Sequence, residues 1–170
     1  MSQQQSIDGV KFAREGQRLR GNVPVERLSR IVDELFERTG DVSFVLAGHV
    51  DRNGKPVIDV EVRALLYLVC QRCLCRLEFN LERHSRLFLA VPGQVLPSID
   101  SETTDAETVP AESVANVLDV VEQEVLLGVP FAPAHEEGKC VLPARQLDGQ
   151  IESPFSALAQ LKASHAPNGC

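Results

Sequence analysis

Tryptophan is absent from the 170 residues, tyrosine and methionine occur once each, and aromatic residues make up only 5% of the chain. So few flat rings argue against a surface that stacks successive bases of a single strand. No apolar run approaches the roughly 20 residues that would span a bilayer as a helix. The polar start MSQQQSIDG also lacks the apolar stretch of a secretory signal. No membrane contact is expected, and the expected compartment is the cytoplasm. Positive charge is in deficit too. Seventeen Lys plus Arg stand against 24 Asp plus Glu, a formal charge of -7. That balance argues against coating a nucleic acid through the net field, so any RNA contact needs a local basic face. Also missing are a Gly-rich phosphate loop, HExxH and GxSxG, so no reaction is named and the chain is read as not an enzyme.

What is present is enough apolar material, 44% of residues, for one substantial core. Val25, Leu28, Ile31, Val32, Leu35 and Phe36 recur at helical spacing, with Pro24 suited to a first turn and Gly40 to a stop, which predicts a helix over 24–36. The period then changes to two. Val42, Phe44 and Leu46 lead to an Asn53-Gly54 turn, and Ile58, Val60, Val62, Ala64, Leu66 and Leu68 follow on one face. After a cysteine cluster the alternation resumes through Leu77, Phe79, Leu81, Leu87, Leu89 and Val91, so three consecutive antiparallel strands are expected. Residues 92–112 read as a mobile acidic loop, and Val114, Val117, Leu118, Val121 and Val125 as a second helix ending near Gly128. The expected fold is α+β, an antiparallel sheet of long hairpin-connected strands packed with two to three helices. A single domain is expected over 1–142, followed over 143–170 by a linker, a short helix opened by Ser153-Pro154 and a flexible tail.

Five cysteines is an odd number, and in a reducing compartment they favour thiols or metal ligation over disulfides. Cys70-Gln71-Arg72-Cys73 falls between two strands, where a tight turn can aim two thiolates at one ion. His135 and Cys140, four intervening residues apart in a Pro and Gly flanked loop, form a close Cys and His pair, so Cys70, Cys73, His135 and Cys140 are the candidate ligands of a structural Zn2+. Cys75 is a substitute ligand or a core residue on this reading. The plainer alternative is a set of reduced, partly buried small side chains. A redox Cys-x-x-Cys is disfavoured, because thiolate activation there usually depends on a helix N-terminus.

For RNA, the useful forks are Arg63, Arg72, Arg76, Arg83 and Arg86 on or beside the hairpin, together with seven basic residues between Lys11 and Arg38. From Asp100 to Glu124 there are eight acids and no Lys or Arg. Such a stretch keeps a surface solvated, shields a basic face as a phosphate mimic, or docks a basic protein by charge complementarity.

Three segments, CQRCL, EQEVLLGVPFAPAHEEGKC and SPFSALAQLK, together resemble the YceD family of large ribosomal RNA subunit accumulation proteins. The resemblance implies a cytoplasmic bacterial factor that supports accumulation of large-subunit ribosomal RNA, with that RNA or a ribosomal precursor as partner and no enzymatic role. It carries the family's Cys-x-x-Cys onto Cys70 and Cys73, and its later His and Cys onto His135 and Cys140. Leu74 departs from the Gly that often follows the second Cys of a zinc knuckle. A zinc-dependent RNA-processing hydrolase is the catalytic alternative; it needs an open coordination position and a general base.

Overall fold

The alternating stretches become the longest strands of the protein. Its structure, a computed structural model, describes residues 6–90 and 106–140. Helix α1 (Gly9–Arg14) leads to β1 (Arg18–Pro24), then to the short β2 (Leu35–Glu37), β3 (Asp41–Val50), β4 (Pro56–Val69), β5 (Arg76–Ala90), β6 (Ala106–Pro110) and helix α2 (Val117–Gly128). They form one sheet in the order β1-β3-β4-β5-β6, with β2 beside β4. All pairings are antiparallel except β5 with β6, which is parallel. The Asn53-Gly54 turn closes β3 on β4, with Gly54 at φ 79° and the Asp51 carboxylate accepting from the Asn53 and Lys55 amides.

One face of the sheet is the core. Val42, Phe44, Leu46, Ile58, Val60, Val62, Leu66, Leu68, Leu81 and Leu87 are buried beneath α1, residues 25–35 and α2. The apolar stripe expected on β4 is therefore the stripe observed. Helix α1 approaches so closely that a Cβ on Gly48 would lie 2.5 Å from the Phe12 carbonyl oxygen. Helix α2 contributes Val117, Val120, Val121 and Val125, and crosses β5 where Gly128 meets Leu81. Among the described residues no helix is long and apolar enough to cross a membrane.

The expected α+β arrangement is overturned. The described chain is mostly strand, 47% of it in one mixed sheet of six strands, and holds a single helix of seven or more residues instead of two to three. The main error is the helix expected over 24–36. That segment finishes β1, makes two single 3-10 turns at Val25–Arg27 and Val32–Glu34, and ends as β2. Its buried residues Val25, Leu28, Ile31 and Leu35 are three, three and four apart. A chain of 3-10 turns brings residues i and i+3 to one side as an α-helix does, so this spacing alone does not separate the two. The sheet decides, because β4 runs past the end of β3 and offers Tyr67 and Leu68 to β2.

Part of the expected acidic loop over 92–112 is strand. Ala106–Pro110 pairs with Arg86–Ala90 as β6, while residues 92–105 and the expected linker and helix of 143–170 lie outside the described residues.

The irregular segment is tied down by a buried acid. Glu122 of α2, 5% exposed, accepts a 2.6 Å hydrogen bond from the Arg30 amide. Glu122→Ala leaves that amide without its partner and is expected to cost about 1–3 kcal/mol, whereas Glu122→Gln keeps an acceptor and costs less. Urea unfolding checks this as a lower midpoint at unchanged slope.

Candidate metal centre

The long β4–β5 hairpin ends in a six-residue turn, Cys70 to Cys75. The Cys70 amide donates to the Cys75 carbonyl at 3.0 Å and the Leu74 amide to the Cys70 carbonyl at 2.8 Å. Leu74 sits at φ 58°, the left-handed region in which knuckles commonly carry glycine. Its side chain, 68% exposed, points away from the core. The turn thus closes with leucine at a steric cost of about 1–2 kcal/mol.

Two contacts bring the loop after α2 to this corner. The Gln71 amide donates to the Pro133 carbonyl at 2.8 Å. Arg72 Nη2 donates to the carbonyls of His135 and Glu136. Sixty or more residues apart in sequence, the two stretches meet, and the ligand atoms of Cys70, Cys73, His135 and Cys140 all lie within 4.8 Å of one another.

Tetrahedral zinc with bonds of about 2.3 Å to sulfur and 2.0–2.1 Å to nitrogen sets sulfurs about 3.8 Å apart and sulfur about 3.6 Å from nitrogen. Cys70 Sγ is 3.8 Å from Cys140 Sγ. His135 Nδ1 is 3.4 Å from Cys73 Sγ and 3.9 Å from Cys140 Sγ. The imidazole is oriented from behind: Nε2 lies 3.1 Å from the Arg76 carbonyl and donates to it, which leaves Nδ1 bare and facing the thiols.

The electrostatics favour thiolate at the buried end. Burial pushes the Cys70 thiol up, but the amides of Cys73, His135 and Arg72, with the Cys73 thiol, outweigh it and bring Cys70 down to about 5. Cys140 is raised, by burial first and then by hydrogen bonds to Cys70 and Cys73. Cys75, also raised, mainly through its hydrogen bond with Cys73, is exposed and outside the four-donor set. The set therefore holds one strongly acidic thiol, Cys70, beside Cys140, whose thiol resists ionisation until a cation shares its charge.

The sequence of residues 58–162, more than half of the chain, matches the family described as Large ribosomal RNA subunit accumulation protein YceD. The chain belongs to the YceD family. No solved structure matches it. The four-donor corner and α2 both fall inside the matched YceD region.

The five arginines expected to contact RNA are each engaged within the protein. Arg63 pairs with Glu61 at 2.8 Å and Glu82 at 3.0 Å, and Arg86 with Asp59 at 2.8 Å. Arg76 pairs with Glu37 at 3.0 Å and stacks 3.8 Å above the Tyr67 ring. Arg83 lies on the inner side of β5 and pairs at 2.7 Å with Glu124, which is 2% exposed. Arg72 holds the ligand-bearing loop. The missed roles are those of Gln71, Arg72 and the Arg76 carbonyl, which orient ligands. No residue-type pattern signals a main-chain contact across such separations.

Leu74→Gly removes the left-handed penalty but adds unfolded-state freedom, for an expected net gain of about 0.5–1 kcal/mol. Thermal unfolding checks it; a loss of stability would contradict the strained geometry.

Proposed function

We propose that this chain is a non-catalytic factor that supports accumulation of large-subunit ribosomal RNA by binding that RNA or a ribosomal precursor, with a structural zinc ion fastening its knuckle. The observation that carries the metal reading is the distance set above. Three thiols and an imidazole, three of whose separations lie near the edges of a zinc tetrahedron and all within 4.8 Å, leave no coordination position for water once all four bind one ion. Such a closed set suits a clasp and not a hydrolase. Binding energy at a site that does not exist in the unfolded chain becomes folding energy, so the metal would hold the loop after α2 on the hairpin tip. The family description supports the ribosomal context.

Elemental analysis is expected to find one zinc per chain, lost in Cys73→Ser and His135→Ala. Free zinc at 100 times its dissociation constant adds about 2.7 kcal/mol. In a chain of this size that corresponds to roughly 5–10 °C of melting temperature, removed by a chelator. A chain purified without stoichiometric zinc, with a melting temperature blind to chelator, rejects the clasp. Zinc with only three protein ligands and a water would favour the hydrolase.

The zinc-loaded protein is also expected to bind large-subunit ribosomal RNA fragments with an affinity that falls as salt rises. Recovery of a basic ribosomal protein from nuclease-treated extract, without RNA binding, would favour docking through the acidic segment.

A further inference from the structure

We propose that the RNA phosphate backbone is taken up by the outer strand β1 and the adjoining corner of the sheet, through Arg14, Arg18, Arg20 and Arg52. The proposal rests on the RNA-binding reading above and moves the contact away from the hairpin arginines. Strand register gathers these four at one end of the sheet. Arg18 lies opposite Ala47 and Arg20 opposite Val45. The Gly48 amide donates to the Gln17 carbonyl at 2.8 Å, so the junction of α1 and β1 abuts the end of β3, and the turn bearing Arg52 follows Val50.

All four side chains are exposed, and among the described residues none has an ion-pair or hydrogen-bond partner. Nearby acids are committed elsewhere. Glu15 accepts from Gln17 and pairs with Lys11, Asp51 accepts two amides of its own turn, and Asp59 pairs with Arg86 and His49. The open face therefore divides by strand: the arginines of β4 and β5 are paired with acids, and those of β1 have no partner among the described residues.

Shape points the same way. Arg18 and Arg20 are two residues apart on one face of an edge strand, about 6.8 Å along it. Their cross-strand neighbours Ala47 and Val45 carry neither charge nor bulk, so a polyanion can lie along the strand without meeting an acid. The aromatic side chain on the open face of β4, Tyr67, is covered by Arg76. Free guanidinium forks whose cross-strand neighbours on β3 carry no ring suit a phosphate backbone. An acidic protein would meet the same charge but not the regular repeat.

The test is fluorescence anisotropy of the zinc-loaded protein with labelled large-subunit ribosomal RNA fragments from 50 to 200 mM salt. The variants are Arg18→Ala/Arg20→Ala, the same pair changed to Lys, and Arg63→Ala/Arg86→Ala as a control on the self-paired strands. Losing two phosphate contacts is expected to lower the slope of log affinity against log salt by roughly 1.4 to 1.8 and to weaken low-salt binding about tenfold. The Lys pair should restore the slope, and the control should stay near wild type. Wild-type binding and slope in the Arg18/Arg20 Ala variant would overturn this surface while leaving the RNA reading intact. So would an Ala variant that only dimerises, since basic residues also guard free sheet edges. Absence of RNA binding by the wild-type protein would overturn both readings. Capture of an acidic protein lost only in the Arg18/Arg20 Ala variant would replace RNA with that partner.

Discussion

The register of β4 against β5 is the constraint on which the rest depends. Thirteen consecutive residue pairs run from Val57 opposite Phe88 to Val69 opposite Arg76. A slip of one residue would turn Ile58, Val60, Val62, Leu66 and Leu68 from the core to solvent, so burial holds the pairing in place. Because the pairing continues to Val69, the cysteine turn stands at a defined distance and angle from the core. Helix α2 packs on the same strands, and its C-terminal end crosses β5 at Leu81. The loop that leaves it has a short path to the hairpin tip. The meeting of Cys70 and Cys73 with His135 and Cys140 thus rests on sheet register and helix packing.

Charge is arranged by the same geometry. Cross-strand neighbours on an antiparallel pair lie within reach of each other, and the open face of β4 and β5 alternates acid and base so that Asp59 meets Arg86 and Arg63 meets Glu82. Exposed pairs of this kind add little stability, with a median of about 0–1 kcal/mol. Their effect is to remove the hairpin arginines from the set of available cations. Among the described residues edge strand β1 has a neighbour on one side only, and that neighbour, β3, carries Val45 and Ala47 opposite the arginines. Part of the available positive charge is left where the sheet ends. A chain with an overall negative balance can in this way keep a local basic strip.

Two acids inside the fold show how part of the acidic stretch is used. Glu122 holds the Arg30 amide and Glu124 holds Arg83, both nearly buried. Acids counted in sequence as a solvated or docking surface are partly structural pins, each joining α2 to a different element. Burial of a carboxylate is tolerated only with such a partner.

Period-two alternation at 42–46, 58–68 and 77–89 determined the three long strands, because half-buried strands require it and the Asn53-Gly54 turn sets where the first hairpin closes. The donor set was legible for a similar reason: a Cys-x-x-Cys between strands can converge only at a turn, and His135 with Cys140 offered a close pair in a Pro and Gly flanked loop. The short α1, the parallel edge strand β6 and the 3-10 turns at 25–34 carry no distinct local signal. Their conformation depends on which strand edge or core face remains uncovered. Spacing at 24–36 suited a helix as well as successive tight turns, and the sheet chose between them. Which arginines stay free was likewise decided by tertiary structure, since a guanidinium is claimed by whichever carboxylate the neighbouring strand places beside it.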